Sequence, residues 1–410
     1  MSEWKKVKLG DCCFIGDGAH ASLKRQEKGI LYITAKNLTS NGLDYSRVDY
    51  ISEELYNKHF SEKNGAITRP IKNDIIFSII GSLGDSYLVK DEKLGISSSV
   101  AIFRSKGDIL PLYLFYYLKS EKIKSEIDSI KGGVAQGFMS LSKLGSLTIY
   151  LPTSLKLQQR IAETLSRYDS LIENYQKQIK LLEESAQRLY KEWFIDLRFP
   201  GHENTKIVDG VPEGWEKKRL GEIFTFVRGK SYTSKELSNN GILMINLKNI
   251  QAFGGYKRNA EKRFIGKYKD DQITYKGDLI MGVTDMTQER RLVGHVALVP
   301  DLKETATFSM DLIKIIPFKL PNVFLYCAMK YGGISTRISP LANGVNVLHL
   351  KPEAMLGIET IIPSRELVSV FTSYAEKTID KILALQSQIH HLTEARDRLL
   401  PKLMNGEIEV

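Results

Sequence analysis

One apolar repeat constrains the fold of this chain more than any other feature of its sequence. Between Ile161 and Trp193, apolar residues recur at alternating intervals of four and three, and neither Pro nor Gly interrupts the run. Such intervals place one apolar seam along a helix, as in a coiled coil. The first seam consists of Ile161, Leu165, Tyr168, Ile172, Tyr175, Ile179, Leu182, Ala186, Leu189 and Trp193.

The same spacing returns further along the chain, with Phe371 standing 210 residues after Ile161. A helix of about 35–40 residues is about 55–60 Å long, and its single stripe cannot be buried alone. We therefore expect the two helices to pair antiparallel. The alternative is that each packs separately on its own domain, but their matched length and phase favour pairing. The second seam consists of Phe371, Ala375, Thr378, Ile382, Leu385, Ile389, Leu392, Arg396, Leu399 and Leu403.

The segments before the two helices repeat as well. Trp4–Asp11 matches Trp215–Glu222, and Asn73–Ile76 matches Gly277–Ile280. Lys36-Asn37 matches Lys248-Asn249, Leu110-Pro111 matches Leu320-Pro321, and Gly133-Val134 matches Gly344-Val345. The chain therefore reads as globular domain, long helix, globular domain, long helix. Strands are predicted at Gly29–Ile33, Ile75–Ile80, Val100–Arg104 and Leu147–Leu151, and at Ile242–Asn246, Leu279–Val283, His295–Val299 and Leu312–Ile316.

These patterns predict an α+β fold with two small mixed domains in pseudo-twofold repeat, separated by two long antiparallel coiled-coil helices. We expect the first domain at 1–152 and the first helix at 153–199. A linker rich in Pro and Gly follows at 200–214. The second domain is expected at 215–363, the second helix at 364–404 and a tail at 405–410. Aromatic-rich helices are predicted at Leu112–Leu118 and Asn322–Met329.

The composition favours a polyanionic partner and excludes several classes of protein. A net charge of +10 and a pI near 9.1 are typical of nucleic-acid binding. The three cysteines show no disulfide or C-x-x-C pattern. No apolar run approaches the ~18 residues of a membrane span. The first residues lack the apolar core of a signal peptide, so a cytoplasmic protein is expected.

No catalytic constellation is present in the sequence. Gly229-Lys230-Ser231 resembles the end of a P-loop, but Phe224 stands where the first Gly is needed. Neither H-E-x-x-H nor G-x-S-x-G occurs, and the Asn/Asp-Pro-Pro-aromatic signature of adenine methyltransferases is absent. The adjacent His390 and His391 fit a solvated helix face better than a metal site. We therefore predict a chain without catalytic or metal-binding residues.

Basic and amide side chains in the loops are the remaining functional candidates. Cationic side chains bind phosphates, and Arg, Lys, Asn and Gln side chains form hydrogen bonds with base edges. For any one of them, a solvated surface residue is the alternative, and the matched Lys-Asn pair fits a scaffold role equally well. In the first domain the candidates are Lys24, Arg25, Lys36, Asn37, Gln136 and Lys143. In the second they are Arg228, Lys230, Lys248, Asn249, Arg258, Arg263, Arg290, Arg291, Asn343 and Asn346.

Several stretches carry a resemblance to a known family. Pro152 precedes Leu157-Gln158-Gln159-Arg160-Ile161-Ala162 at the start of the first helix, and Leu189–His202 leaves that helix. Gly277–Ile280 is followed by Thr284-Asp285-Met286-Thr287-Gln288. With the ordered repeat, these stretches are similar to specificity subunits of type I restriction-modification enzymes over essentially the full length. The second helix departs from the family's entry motif, since Glu366-Leu367-Val368 lacks its Glu-Gln pair.

The resemblance implies a non-catalytic subunit that reads double-stranded DNA. Each domain would recognise one half of a bipartite, asymmetric site, and the helices would set the gap between the halves. The helices would also dock two methyltransferase subunits, which bind S-adenosylmethionine and methylate adenine N6. A restriction subunit using ATP and Mg²⁺ would join that complex, and this chain itself would bind no cofactor.

Two other functions fit the same sequence. The chain could be a stand-alone DNA-binding regulator or architectural protein, which should bind a specific site unaided. It could also be a coiled-coil scaffold that binds no DNA even at low salt. Purified chain, with and without a methyltransferase, separates the three hypotheses.

Overall fold

The structure is a computed structural model that describes residues 4–40, 42–46, 48–61, 67–81, 83–131 and 138–410. The chain divides into two compact units. Unit 1 comprises Met1–Ile172 with Leu392–Val410, and unit 2 comprises Glu173–His391. Each unit therefore contains one globular domain and a part of each long helix.

Unit 1 is built on a four-stranded antiparallel sheet, whose strands lie in the order Cys13–Asp17, Val100–Ser105, Ile75–Ser78 and Ser86–Leu88. A three-stranded sheet contains Asp49–Ile51, Ile30–Ile33 and Leu94–Ile96, the last two of which are parallel. Trp4–Lys8 pairs with Thr148–Pro152, and Leu38–Thr39 pairs with Gly42–Leu43. The domain's helices are Leu9–Cys12, Glu53–His59, Pro111–Leu118, Glu121–Lys131 and Leu141–Ser146, with a 3₁₀ turn at Ala35–Asn37.

Unit 2 repeats this topology. Its four-stranded sheet has the order Phe224–Arg228, Leu312–Pro317, Leu279–Gly282 and Val296–Leu298. Its three-stranded sheet contains Lys262–Phe264, Leu237–Ile245 and Ala306–Phe308, again with one parallel pair. Glu216–Arg219 pairs with Glu359–Ile362, and Thr284–Asp285 pairs with Leu348–His349. The helices are Asn322–Tyr331 and Ile334–Ile338, with 3₁₀ turns at Leu220–Glu222, Ser234–Glu236, Leu247–Asn249, Asp270–Gln272, Ser339–Leu341 and Pro352–Met355.

The fold class is the one predicted, and all eight predicted strands are present with ends shifted by a few residues. The largest shift is at Ile242–Asn246, because the strand begins at Leu237 and bulges before Ile242. The two aromatic-rich helices are also present, at Pro111–Leu118 and Asn322–Tyr331. The sequence shows that the two domains open on a repeated segment, but it does not predict a strand there. Trp4–Lys8 and Glu216–Arg219 are edge strands with mostly polar residues, so they lack an apolar pattern.

A shared ion pair explains why Asn73-Asp74 and Gly277-Asp278 match. Asn73 and Gly277 both have positive φ, at 71° and 87°, so each makes the left-handed turn that leads into a buried strand. The following carboxylate then bonds a cation on the neighbouring strand: Asp74 lies 2.7 Å from Arg104, and Asp278 lies 3.7 Å from Lys314. These matched residues therefore hold the scaffold together.

The long helices run from Leu155 to Tyr190, continued by a π-helical turn at Lys191–Ile195, and from Arg365 to Met404. Every predicted seam position is buried or half-buried. In unit 1, Ile161 and Leu165 share a core with Leu403 near the end of the second helix. In unit 2, Trp193 near the end of the first helix shares a core with Phe371 near the start of the second. The helices therefore pair antiparallel within each unit.

The connecting segments are more ordered than a linker and a tail imply. Residues 200–214 contain a 3₁₀ turn at His202–Asn204 and a short hairpin, Ile207–Val208 with Val211–Pro212. The final residues fold back onto the first domain, where a Cβ at Gly406 would lie 3.1 Å from the Trp4 ring. In the part of the chain that the structure describes, no helix has the length and apolar character needed to cross a membrane.

An aromatic cluster fixes the helix pair in unit 2. Phe371 is fully buried, and its ring centroid lies 5.0 Å from Phe194, 5.6 Å from Tyr190 and 6.0 Å from Trp193. The ring of Phe324, from the helix of the second domain, is also 6.0 Å away. Phe371 thus joins the first helix, the second helix and the domain in one contact set.

Phe371→Ala should lower the free energy of unfolding of unit 2 by about 3–5 kcal/mol, because truncation leaves a cavity among rings that cannot collapse into it. Val370→Ala is the matched control, since Val370 precedes it on the exposed face, and should change stability by about 0.5 kcal/mol or less. Urea unfolding followed by tryptophan fluorescence measures both. Equal effects would contradict this role for Phe371.

A polar contact joins the two long helices in unit 1. Arg396 occupies a seam position, and its guanidinium lies 2.5 Å from Asp169 Oδ1. Asp169 Oδ2 accepts a hydrogen bond of 2.7 Å from the hydroxyl of Tyr116, in the first domain. Burial and the adjacent carboxylate raise the pKa of Tyr116, so the hydroxyl stays protonated and donates. The charged seam residue is therefore paired, and the pair is tied to the domain.

A double-mutant cycle of Asp169→Ala and Arg396→Ala should give a coupling energy of about 1–2 kcal/mol, because both groups are largely shielded from water. The matched cycle is Lys180→Ala with Glu184→Ala, an exposed pair 3.9 Å apart on the first helix, expected to couple by about 0.5 kcal/mol or less. Urea unfolding supplies the four free energies of each cycle. Similar coupling in both would show that Arg396 is tolerated in the seam rather than held there.

Candidate nucleic-acid interface

Two loops that are distant in sequence lie side by side in unit 2. We call residues 284–293 and 343–349 the paired loops. They are joined by the pairing of Thr284–Asp285 with Leu348–His349. The side-chain amide of Gln288 also donates a hydrogen bond of 2.9 Å to the carbonyl of Val345. The structure thereby brings together four predicted candidates: Arg290, Arg291, Asn343 and Asn346.

The first of the paired loops is held by one buried carboxylate. Asp285 Oδ1 accepts hydrogen bonds from the backbone N–H and the hydroxyl of Thr287, both at 2.9 Å. Its Oδ2 accepts from the backbone N–H groups of Leu292, at 2.6 Å, and Val293, at 3.3 Å. Burial by itself would raise the pKa of Asp285, but these donors outweigh it and hold the pKa below the ordinary 3.8. Asp285 therefore pins both ends of the loop that carries Arg290 and Arg291.

The second loop has its shape fixed by a glycine. Gly344 has φ of 151°, and a Cβ there would lie 1.9 Å from the carbonyl oxygen of Val347. The neighbouring Asn343 exchanges backbone hydrogen bonds with His349, at 3.0 and 2.9 Å. Gly344 thus makes a tight turn that only glycine permits.

The surface of the paired loops combines cations, amides and exposed apolar groups. Asn343, Val345 and Asn346 are exposed at the tip of one loop, and Met286 and Gln288 are exposed on the other. Arg291 is ion-paired with Glu289 of the same loop, whereas Arg290 is half-buried. Such a set can donate to phosphates and base edges and can contact apolar base atoms.

Unit 1 has the same junction at the equivalent place. Ile80 follows its central strand as Thr284 does in unit 2, and Ile80 forms an antiparallel bridge with Phe138. The backbone N–H of Met139 donates to the carbonyl of Ile79 at 3.0 Å. The candidate Gln136 and the matched Gly133-Val134 lie outside the described residues. The pairing of these two chain segments is therefore common to both domains.

Most other cationic candidates are separate from the paired loops. Three of the arginines already have carboxylate partners: Arg25 with Asp49, Arg228 with Glu353, and Arg263 with Glu304. Exposed pairs of this kind are weak and can exchange a carboxylate for a phosphate. Arg258 donates to the carbonyl of Asp301. Within the described residues, no ion pair is formed by Lys24, Lys36, Lys143, Lys230 or Lys248.

The matched asparagines have structural roles. Asn37 and Asn249 are buried, and each accepts a hydrogen bond of 2.9 Å from the backbone N–H three residues before it. Asn249 also donates to the carbonyl of Lys257 at 2.9 Å. In each domain, the hydrogen bond from the backbone N–H to the asparagine side chain closes the 3₁₀ turn, Ala35–Asn37 or Leu247–Asn249. The matched Lys-Asn pair was predicted either to contact DNA or to belong to the scaffold. The buried asparagines fit the scaffold role, whereas Lys36 and Lys248 are exposed.

The groups that could support covalent or metal chemistry are poorly placed for it. All three thiols are buried, and burial raises the pKa of Cys13 and of Cys327 to about 12, so neither is a ready nucleophile. Among the described residues, His390, His391 and Glu394 of the second helix have ligand atoms within 4.8 Å of one another. That arrangement is exposed or half-exposed, and a solvated helix face accounts for it.

Sequence reasoning missed the central residues of this interface. Its candidates were cations and amides, and it named Asp285, Met286 and Val345 only within the matched or family-like stretches. In the structure Asp285 holds the first loop, and Met286 and Val345 are exposed, one on each of the paired loops. Asp285 carries a local signal, an Asp two residues before Thr287 in a polar stretch, which is typical of an Asx turn. The contact between residues 284–293 and 343–349 has no such signal, because it joins segments about 60 residues apart.

Comparison with known proteins gives a consistent result. The family model "Type I restriction modification DNA specificity domain" matches residues 1–184 and 212–388. The chain is 27% identical to the type I restriction enzyme MjaIX specificity subunit of Methanocaldococcus jannaschii, over all of this chain and 94% of that protein. It is 23% identical to the HindI specificity subunit of Haemophilus influenzae, over the full length of both. The crystal structure of a type I S subunit from M. genitalium has the same fold, with a TM-score of 0.61, 19% identity, and 98% and 96% of the two chains covered.

Asp285→Asn should loosen the first of the paired loops, because the amide replaces one acceptor oxygen by a donor facing backbone N–H groups. Trypsin cleavage after Arg290 and Arg291 should accelerate several-fold, as mapped by mass spectrometry. Asp271→Asn, an exposed carboxylate in the same unit, is the matched control and should leave the rate unchanged.

The effect of Asp285 should also depend on pH with a definite sign. Its folded-state pKa is below 3.8, so the stabilisation is fully present above the unfolded-state pKa. It is lost as the pH falls through the folded value. The stability difference between the wild type and Asp285→Asn should therefore be constant near neutral pH and shrink below about pH 4. A difference that grew on acidification would contradict the assignment.

Proposed function

The chain belongs to the family of type I restriction-modification DNA specificity proteins, and from that premise we propose that it reads a bipartite, asymmetric DNA site with one domain per half-site. The observation that carries the proposal is the repeated topology. Both domains have the same strand order, the same scaffold ion pair and the same junction of two loops. At the paired positions the first domain has Ile80 and Phe138 where the second has Thr284 and His349, so the two domains can select different bases.

The electrostatics favour DNA as the ligand of these domains. The chain carries a net charge of +10, which draws a polyanion to it irrespective of sequence. Exposed lysines such as Lys36 and Lys248 stand at matched places and would contact phosphates. Base-specific contacts would come from the paired loops of unit 2 and from the corresponding junction of unit 1.

The long helices would serve as the spacer and as the docking surface for two methyltransferase subunits. Their seams are occupied by the partner helix, yet Leu181, Val370 and Tyr374 are exposed on other faces. Apolar residues exposed on a long helix suit a protein partner. The two partners would supply adenine N6 methylation with S-adenosylmethionine, and a restriction subunit would join through them with ATP and Mg²⁺. This chain would contribute recognition and no catalytic group.

Domain replacement tests this proposal directly. The chain is co-expressed with its methyltransferase, and methylated adenines are mapped by sequencing the DNA of the host. Replacing residues 215–363 by the equivalent domain of a relative should change one half of the methylated site, because only one reader is exchanged. The other half and the gap between the halves should stay the same.

Two results would contradict the proposal. One is a change in both half-sites, which would mean that the domains do not read independently. The other is specific binding by the purified chain with no methyltransferase requirement for its effect in the cell, which would favour a stand-alone regulator. The control is re-insertion of the chain's own residues 215–363 through the same junctions, which should restore the original site.

A further inference from the structure

Two exposed apolar side chains at the tip of the paired loops have no role in the fold. Met286 is 77% exposed and Val345 is 89% exposed. Neither belongs to a hydrophobic core of unit 2. The backbone carbonyl of Val345 accepts a hydrogen bond from the side chain of Gln288, two residues from Met286, so the two exposed residues lie on neighbouring segments of the paired loops.

This surface is built rigidly, as a reading surface must be. Asp285 fixes the loop directly before Met286 with its bonds to Thr287, Leu292 and Val293. Gly344 fixes the turn directly before Val345. Little backbone conformational entropy is therefore lost when the tip meets a ligand, and contacts by these two side chains can discriminate between ligands.

The size and surroundings of the tip fit a nucleic-acid groove better than a protein. A stable protein interface buries about 800 Å² on each partner, far more than two side chains supply. The residues that flank Met286 and Val345 in the paired loops include the exposed amides Gln288, Asn343 and Asn346 and the half-buried Arg290. The single carboxylate on the loop surface, Glu289, is ion-paired with Arg291. Amides, a cation and a small apolar tip match the edge of a base pair.

We infer that Met286 and Val345 recognise the 5-methyl group of a thymine in the major groove of the half-site read by unit 2. Thymine is the base that presents an apolar group in that groove. The apolar tip would bury the methyl group while the flanking amides bond neighbouring base edges. This inference rests on the proposed function and adds the chemical group that is read.

Deoxyuridine is the probe, because it differs from thymidine by that methyl group alone. The complex of the chain with its methyltransferase is titrated with duplexes carrying its mapped recognition sequence. Each thymine is replaced in turn by deoxyuridine, and affinity is measured by fluorescence anisotropy. The wild type should lose affinity about fourfold at one thymine of the unit 2 half-site, the factor expected for one buried methyl group.

The variants Met286→Ala and Val345→Ala connect that loss to the tip. Each should bind the thymine duplex more weakly than the wild type and should discriminate less between thymine and uracil at that position. Because both side chains are exposed, the melting temperature should not change. Met310→Ala is the matched control: Met310 is also exposed in unit 2 but lies outside the paired loops, so its thymine-to-uracil ratio should stay fourfold.

Three outcomes would overturn the inference. Uracil could be tolerated at every thymine, or both variants could retain the wild-type ratio. The variants could also reduce DNA bending without any effect of uracil, which would make the tip a wedge between base steps rather than a methyl reader. In each case the complex still binds its site, so the proposed function stands. Loss of sequence-specific binding by the wild-type complex would instead refute the proposed function.

Discussion

The burial of two long apolar seams is the constraint on which the rest of this structure depends. A single helix with one apolar stripe cannot remove that stripe from water, so each long helix needs a partner of equal length and phase. The chain supplies that partner itself. Because the helices pair antiparallel, each unit receives the beginning of one helix and the end of the other. Each domain is then fixed to both helices by its own contacts.

Those contacts are chemically different in the two units. At the position of Tyr116 in unit 1, unit 2 has Tyr326, and at the position of Asp169 it has Ile379. Arg396 corresponds to Ala186. Unit 1 therefore has a hydrogen-bonded ion pair between its helices at positions that unit 2 fills with the buried Ile379 and Ala186. In unit 2 the tyrosine hydroxyl instead bonds Lys330, which is ion-paired with Glu183 of the first helix. A polar group at one seam position is a known means of selecting one register over others.

In each domain, the residues that stabilise the fold are different from the residues that would contact a ligand. The Asp74–Arg104 and Asp278–Lys314 pairs and the buried Asn37 and Asn249 recur because both domains need the same turns. The exposed side chains at the tips of the paired loops are not needed to form these turns. Asp285 and Gly344 hold the backbone, while Met286 and Val345 make no contribution to the core. Side chains at the tip can therefore change without loss of the fold, which suits a protein that must read different sequences.

The sequence by itself determined the fold class, the order of domains and helices, and the seam, because periodicity and internal repetition are local properties of the chain. It also indicated a polyanionic partner through net charge. Only the tertiary structure decided which matched residues are scaffold, since the burial of Asn249 depends on contacts such as that with Lys257. The pairing of residues 284–293 with 343–349 could likewise not be predicted from the sequence. Strand pairing between distant segments depends on the packing of the whole domain. Asp285 and Met286 are adjacent in sequence, yet one is buried and the other exposed, and their opposite roles come from that difference.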